Sequence, residues 1–382
     1  MGYYSDYLSS GMNFNQLEKE RKIQLKKISD FFNNSDILVY AADLMKRAPV
    51  SIDYTDILAF EDQLSSITSE TLVVILETPG GFGEVVEDLV SLIRKKYKKL
   101  IVIIPGYAKS AGTIFAMSAD EIYMGITSAL GPIDAQIQVN GKQFSADELL
   151  DQFKSISNEI KETGRLNPIY IPILQNLSLG ELKRCTNAQE FSKKLVAKWL
   201  EKYKFSSWTT HDDGTEVTDK EKKKRANDIA SKLRENATWL THGKSIRIED
   251  LQEMKLQINN YDSITQLVEP INKYYALMRI SFDANVYKII ETINSQIYRL
   301  IATGAIPKPQ QNGIPIAEID FICPKCATHH KIQANLGNKA DLKPGNKPFP
   351  ENNVFKCEVC STESNLIDLR RQIEAQTNKK IV

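Results

Sequence analysis

The chain has 382 residues, of which 42% are hydrophobic and 25% charged, and its formal net charge is +1. This composition is typical of a soluble globular protein, and the even balance of charge argues against a dedicated nucleic-acid or membrane-surface binder. The N-terminus shows no secretory signal, and no window reaches the roughly 18 consecutive apolar residues of a membrane span. We therefore predict a cytoplasmic protein with one large domain and smaller accessory segments.

Apolar runs that alternate with amphipathic segments predict an α/β domain. After a charged helical pattern at residues 13–33, the runs Leu72–Leu76 and Leu100–Pro105 have the length of strands, and each leads through a turn into a helical pattern. Strands that are apolar throughout indicate a parallel sheet buried on both faces. From residue 145 to about 300 the pattern is mainly helical.

Two glycines follow the first of these strands, in the stretch ETPGGFGEVVEDL at residues 77–89. A glycine pair at such a place indicates that the backbone approaches another group closely or presents its N–H groups. No Gly-x-x-x-x-Gly-Lys pattern surrounds Gly80 and Gly81, so a phosphate-binding loop is not indicated. In a parallel sheet, this turn and the turn after the next strand lie at the same carboxyl edge.

That next turn contains Ser110, in YAKSAGTIFAMSADEI. A serine before a helix is typically an N-cap, whose hydroxyl accepts a hydrogen bond from the first helical turn. A serine hydroxyl in this position also lies in a field that stabilises developing negative charge, as a nucleophile requires. The residues alone leave both interpretations open, and the two can coexist.

Three ordered motifs, ETPGGFGEVVEDL, AKSAGTIFAMSADEIYMG and SALGPIDAQI, resemble the Clp/crotonase superfamily of serine peptidases, and its SDH family (serine dehydrogenase proteinases) most of all. The resemblance covers about residues 50–260. It implies a ClpP/crotonase-like α/β fold, Ser110 as the nucleophile, and the N–H groups of Gly81 and Ala111 as the oxyanion hole. It also implies a homo-oligomer that hydrolyses peptide or protein substrates without a catalytic cofactor.

The base that would activate Ser110 stays open. SALGPIDAQI contains no histidine, so the ClpP arrangement of the triad is absent. Signal peptide peptidases use a lysine, and EIKETGRLNPI loosely resembles their motif, which puts the base on Lys161, ahead of the rivals Lys154, Lys142 and Lys109. His242 in WLTHGKSIRIED is the next candidate, although it could also cap a turn. Asp134 could orient a base, bind substrate or serve as a turn residue.

Two C-x-x-C pairs near the C-terminus predict a metal centre, formed by Cys323, Cys326, Cys357 and Cys360. In a reducing compartment such pairs indicate tetrahedral zinc, with disulfides as the alternative. The segment resembles a zinc ribbon, and a closed set of thiolates predicts a structural Zn²⁺. His329 and His330 are further possible ligands, although the cysteines suffice. The balanced charge favours a protein partner or self-association over nucleic acid.

These features together predict the organisation of the chain. We expect a helical segment at 1–35, the Clp/crotonase-like domain at 36–262, a long helical extension at 263–302, a Pro- and Gly-rich linker at 303–317, a zinc-ribbon-like module at 318–365 and a C-terminal helix or tail at 366–382. The leading hypothesis is a serine peptidase. The alternatives are a crotonase-like acyl-CoA enzyme and a catalytically degenerate scaffold whose zinc ribbon binds a partner.

Overall fold

The structure is a computed structural model that describes residues 2–66, 68–139, 142–175, 177–301, 316–377 and 379–382. Contacts divide the chain into two compact units, Met1–Ile301 and Ala302–Val382. Within the described residues, no helix combines the length and the apolar character that a membrane crossing requires.

The helices of the first unit are, in chain order, α1 Tyr3–Ser9, α2 Phe14–Phe31, α3 Thr55–Gln63, α4 Gly83–Lys96, α5 Ala111–Ala116, α6 Ala146–Thr163, α7 Ile171–Leu174, α8 Leu179–Trp199, α9 Asp219–Arg234, α10 Asn236–Trp239, α11 Ile248–Glu253 and α12 Thr265–Phe282. A π-helical turn at Leu200–Lys204 continues α8. Helices α2, α6, α8 and α9 begin at polar side chains that accept hydrogen bonds from the first turn, namely Asn13, Ser145, Ser178 and Thr218. These caps explain why the charged helices start where they do.

The strands of the first unit are β1 Asp36–Ala42, β2 Thr71–Glu77, β3 Lys99–Ile104, β4 Tyr107–Ala108, β5 Glu121–Met124, β6 Ala129–Leu130, β7 Gln136–Val139, β8 Lys142–Ser145, β9 Asn259–Asn260, β10 Val286–Glu291 and β11 Gln296–Leu300. The main sheet has the order β11-β10-β1-β2-β3-β5-β9. Its strands β1, β2, β3, β5 and β9 run parallel, whereas β10 and β11 are antiparallel additions at one edge.

Both faces of the sheet are buried, as the apolar strands predict. In β2, Val74 and Leu76 pack in one hydrophobic cluster, and Val73 and Ile75 pack in a second cluster. The first cluster also contains apolar residues of α4, α5, α8 and α9, and the second contains those of α2 and α12. The predicted α/β class with a parallel sheet is therefore confirmed.

The helical extension predicted over 263–302 differs from the structure in its second half. Helix α12 ends at Phe282, and the chain then forms the antiparallel hairpin β10–β11. Strand β10 pairs with β1, and its residues Ile289 and Ile290 are fully buried in opposite clusters. This segment is rich in β-branched and aromatic residues, which favour a strand wherever a sheet edge is available.

The second unit contains β12 Ile316–Ile322, β13 His329–Asn335, β14 Lys347–Pro348, β15 Val354–Lys356, β16 Glu363–Asn365 and α13 Ile367–Thr377. Its core joins Ile332 and Phe355 to Leu366, Ile373 and Ile381. The segment predicted as a separate tail at 366–382 therefore contributes to this core. The predicted linker at 303–317 lies outside the described residues, except for its last two positions.

Candidate active site and metal centre

Ser110 lies in a tight turn between β4 and α5. Its backbone has φ 51° and ψ −116°, and the Gly112 N–H donates to the Lys109 carbonyl oxygen over 2.7 Å. These values define a type II′ turn with Ser110 at the first central position, where glycine is the usual residue. The Ser110 side chain makes no capping hydrogen bond to α5. The capping interpretation is therefore wrong, and Ser110 has a positive φ that is strained for a residue other than glycine.

The strain at Ser110 gives a testable stability difference. We expect Ser110→Gly to raise the free energy of unfolding by about 1 kcal/mol over Ser110→Ala, because glycine adopts a positive φ without steric cost. Urea denaturation of the two variants measures the difference. Equal stabilities, or a more stable alanine variant, would show that this turn stores no strain.

The glycine turn packs directly against the Ser110 turn. A Cβ built on Gly80 would lie 2.7 Å from Ser110 Cβ and 3.1 Å from the Ala111 nitrogen, and Gly80 has φ 105°. Gly81 has φ 152°, and a Cβ there would lie 2.2 Å from the Ile52 carbonyl oxygen. Only glycine fits at either position. Within the described parts of the chain, the N–H groups of Gly81 and Ala111 have no acceptor, so both can donate to a ligand.

His242 and Asp134 form a hydrogen-bonded pair. The distance from His242 Nδ1 to Asp134 Oδ1 is 2.7 Å, and Gln136 Nε2 donates to the other carboxylate oxygen over 2.8 Å. The Asp134 side chain is fully buried, whereas the imidazole is 27% exposed. A neutral imidazole that donates from Nδ1 to this carboxylate keeps the lone pair of Nε2 as a proton acceptor.

Lys109 joins the segments that carry Ser110, Asp134 and His242. Its Nζ donates to the carbonyl oxygens of Leu130 and Lys244 over 3.0 and 2.9 Å, and to Ser245 Oγ over 3.0 Å. Burial, together with the smaller effect of nearby Arg247, lowers the pKa of Lys109 to about 8. Three acceptors occupy all three protons of an ammonium group, so Lys109 has no lone pair to offer Ser110 in this arrangement.

Glu77 ends β2 immediately before the glycine turn, and its side chain is fully buried. Tyr275 Oη donates to its carboxylate over 3.2 Å, and Arg279 lies 3.6 Å away. Burial raises the pKa of Glu77 to about 7, against the opposing effect of Arg279. These partners lie in α12, so Glu77 connects the glycine turn to the helix behind the sheet.

The part of the chain that contains the glycine and serine turns is similar to a known protein family. Residues 63–163 match the sequence model of the ClpP-like SDH-type serine proteinases. This segment, 101 of the 382 residues, is similar to that family and is termed the SDH-type region. The recognition made from the motifs is confirmed, and with it the ClpP/crotonase-like fold class. Ser110, Gly81 and Ala111 lie within this SDH-type region, whereas His242 lies outside it.

Two proteins of Methanocaldococcus jannaschii are similar in sequence. The uncharacterized protein MJ1495 is 27% identical over 186 residues, which are 49% of this chain and 51% of that protein. The uncharacterized protein MJ0137 is 36% identical over 64 residues, which are 17% of this chain and 22% of that protein. The chain thus spans about half the length of the first relative and about a fifth of the second.

Two of the similar solved structures come from different proteins. A variant of the 1510-N membrane-bound stomatin-specific protease is 21% identical, with a TM-score of 0.22, and the match covers 37% of this chain and 64% of that chain. ClpP1 from Listeria monocytogenes is 11% identical, with a TM-score of 0.32, and the match covers 62% of this chain and 98% of that chain.

The lysines predicted as possible bases have different surroundings. Lys161 is exposed in the last turn of α6, where a cation stabilises the helix dipole, and Lys154 is exposed on the same helix. Lys142 is the first residue of β8. Neither Lys161 nor Lys154 makes a hydrogen bond to Ser110 among the described residues. The nucleophile candidate Ser110 lies within the SDH-type region. In the pair formed by Asp134 and His242, Asp134 lies within that region and His242 lies outside it.

In the second unit, the predicted metal ligands come together. The sulfur atoms of Cys323, Cys326, Cys357 and Cys360 all lie within 4.8 Å of one another, and the thiols are free. The closest pairs are Cys323–Cys360 at 3.5 Å and Cys326–Cys357 at 3.6 Å. Tetrahedral zinc with bonds of about 2.3 Å requires sulfurs about 3.8 Å apart, so the cluster fits that ion.

The two cysteine pairs lie in matching turns. In CPKCAT and CEVCST, the residue after the second cysteine has a positive φ, 55° at Ala327 and 59° at Ser361. Thr328 and Thr362 each place Oγ1 3.2 Å from the second sulfur of their turn. The Thr362 side chain, with its N–H, lowers the pKa of Cys360 to about 6, which favours the thiolate form that binds metals.

His330 takes a role beside the cluster. Its Nε2 lies 3.2 Å from Cys357 Sγ, and the side chain is buried against Phe355. His329 instead contacts Asp320 at the surface. His330 is thus placed to support the candidate ligand Cys357 through a hydrogen bond. His330 lies in β13, which pairs with β12, and the spacing of residues in the sequence does not reveal this contact.

Proposed function

We propose that this protein is a serine peptidase in which Ser110 is the nucleophile, His242 the general base and Asp134 the residue that orients the base. The observation that carries this assignment is the 2.7 Å contact between His242 Nδ1 and the buried Asp134 carboxylate. Lys109, the residue before Ser110, supports this assignment, because its ammonium donates to the carbonyl oxygens of Leu130 and Lys244. These two residues lie close in sequence to Asp134 and His242, respectively. The proposal moves the base from Lys161, the first choice from sequence, to His242.

The reaction follows from these roles. As Ser110 Oγ bonds to the carbonyl carbon of the peptide, its proton passes to His242 Nε2. Asp134 stabilises the imidazolium without taking the proton. The imidazolium then protonates the departing amine as the peptide C–N bond breaks. A water molecule, deprotonated by the same nitrogen, next attacks the acyl-enzyme, and the imidazolium returns that proton to Ser110 Oγ as the acid leaves.

The oxyanion formed in each half-reaction needs donors. We assign the N–H groups of Gly81 and Ala111 to this role, because both lack an acceptor in the described structure and their turns are in contact. Backbone donors that are fixed before the reaction stabilise the transition state more than the ground state. The tight fit at Gly80 and Gly81 keeps those donors in place.

A fluorophosphonate probe tests the nucleophile. We expect the full-length protein to become labelled at Ser110, with peptide mass spectrometry locating the adduct, and to hydrolyse unfolded protein substrates. Ser110→Ala should lose both properties, whereas Ser118→Ala, which changes a buried serine in the turn after α5, should keep them. A protein that binds coenzyme A in calorimetry and is not labelled would instead be a crotonase-like enzyme. An absence of labelling, hydrolysis and coenzyme A binding would indicate a scaffold.

We further propose that the cysteine cluster holds one structural Zn²⁺. A closed set of thiolates leaves no position for substrate, so the ion would stabilise the fold of the second unit. We expect elemental analysis to find about one zinc ion per chain, and Cys357→Ser to lose it and unfold residues 316–382. Cys185→Ser should retain the metal, because Cys185 lies in α8, outside the cluster. Metal loss from the Cys185 variant, or full retention by the Cys357 variant, would contradict this site.

The assembly is also a proposal. We infer a homo-oligomer, supported by the exposed apolar side chains of Ile169 and Ile173, between α6 and α8, and of Leu179 at the start of α8. Sedimentation equilibrium should give a mass that is a multiple of 43.2 kDa. A species of single-chain mass at all micromolar concentrations would refute this expectation, and a protein partner would then be the better explanation for the exposed residues.

A further inference from the structure

The backbone of Ile52 forms two hydrogen bonds with the glycine turn. The Ile52 N–H donates to the Gly80 carbonyl oxygen over 2.7 Å, and the Phe82 N–H donates to the Ile52 carbonyl oxygen over 3.0 Å. Because these two bonds bracket Gly81, the position of Ile52 sets the position of the Gly81 N–H. Ile52 itself makes only an isolated bridge to Gly81 and belongs to no strand of the main sheet.

Ile52 is in turn fixed on both sides by one buried ion pair. Lys288 Nζ donates to the carbonyl oxygen of Ser51 over 3.0 Å, and the Asp53 N–H donates to Asp56 Oδ2 over 3.1 Å. Lys288 Nζ also lies 2.9 Å from both carboxylate oxygens of Asp56. The residues before and after Ile52 are thus each bonded to one member of the pair.

The pair is buried and has a further hydrogen-bond donor. The Lys288 and Asp56 side chains are 2% and 0% exposed, and the Tyr40 hydroxyl donates to Asp56 Oδ2 over 2.8 Å. A buried ion pair by itself is weak evidence for stability, because apolar residues of similar volume often stabilise a fold equally well. The hydrogen bonds of this pair to Ser51 and Asp53 fix the backbone on either side of Ile52, which apolar side chains could not do.

We propose that Lys288 and Asp56 are positioning residues of the oxyanion hole, acting through Ile52 on Gly81. This inference rests on the proposed peptidase function. Lys288 lies in β10, outside the SDH-type region, so the C-terminal hairpin takes part in the alignment of the site. Neither residue contacts the substrate: each acts on the transition state through the position of a backbone donor.

The test compares two buried carboxylates in the full-length protein. Asp56→Asn removes the charge that holds Lys288. Glu291→Gln is the matched control, because Glu291 lies in the same strand as Lys288, is equally buried, and pairs with Arg21 rather than with residues near the glycine turn. We expect Asp56→Asn to lower kcat and the rate of Ser110 labelling about 10- to 100-fold, with KM changed less than about 3-fold. Glu291→Gln should leave the labelling rate within about 2-fold of wild type.

A second measurement needs no activity. Amide hydrogen exchange at Phe82 should accelerate at least about 10-fold in Asp56→Asn and not in Glu291→Gln, because the bond from Phe82 to Ile52 loosens. If Asp56→Asn does not fold, Tyr40→Phe removes a single hydrogen bond to Asp56 and should give the same changes with smaller amplitude. The charge-free double variant Lys288→Met/Asp56→Leu should keep most of the stability and still lose activity.

The outcomes separate the two proposals. A wild-type protein without labelling at Ser110 refutes the peptidase function, and the exchange data then decide the positioning role independently. Labelling that is unchanged in Asp56→Asn, or that slows equally in Glu291→Gln, refutes the positioning role while the peptidase function stands.

Discussion

His242→Ala is expected to lower kcat for peptide hydrolysis by at least about 10⁴-fold, because Ser110 then has no group to accept its proton. Asp134→Asn should cause a loss of about 10⁴-fold, since an amide can hold the imidazole in the wrong tautomer. Steady-state kinetics on a quenched fluorescent peptide measures both losses, and circular dichroism shows whether the variants stay folded.

Lys161→Met is the decisive control for this series. Lys161 is exposed in α6, so we expect its replacement to change kcat by less than about 2-fold. The reverse result, with an inactive Lys161 variant and an active His242 variant, would establish a serine–lysine dyad. In that case the pairing of His242 with Asp134 would be structural only.

Gly81→Ala should lower kcat/KM by about 10²- to 10³-fold, the loss typical of removing one oxyanion donor. The new methyl group would lie 2.2 Å from the Ile52 carbonyl oxygen, at a backbone φ of 152°, so the turn must move and carry its N–H away from Ser110. The acylation rate from burst kinetics measures this effect directly.

Gly164→Ala provides the matched control for backbone strain. Gly164 has φ 71° at the end of α6, but a methyl group there would have no neighbour within 4 Å. This variant should lose about 1 kcal/mol of stability and keep full activity. Equal loss of activity in the two glycine variants would mean that general destabilisation, and not the oxyanion donor, explains the result at Gly81.

Much of the fold could be predicted because it is encoded locally. The runs that form β2 and β3 are apolar throughout, and the glycine and serine turns follow them within a few residues, so sequence order alone places both turns at one edge of the sheet. The paired C-x-x-C spacing likewise predicts the cysteine cluster, which the structure brings within 4.8 Å. In each case, short stretches of consecutive residues are enough for the prediction.

The parts that sequence could not predict depend on contacts between distant residues. Asp134 and His242 are 108 positions apart, and Lys288 and Asp56 are 232 apart. No periodicity links such residues. The bridge between Leu130 and Ile246 brings the segments of Asp134 and His242 together, whereas Lys288 reaches Asp56 through the pairing of β10 with β1. The hairpin β10–β11 was missed for a related reason: its residues fit a helix as well as a strand until the free edge of β1 is known.

That hairpin also determines how far the chain can be shortened without loss of the first unit's fold. The family match ends at residue 163, but a protein cut at residue 262 would lack α12, leave β1 as an unpaired edge and lose Lys288. Exposed edges of this kind pair with other chains and promote aggregation. We therefore expect that a fragment must extend to Ile301 to keep the fold of the first unit, and directed-evolution libraries or fusion proteins should preserve the chain to that residue.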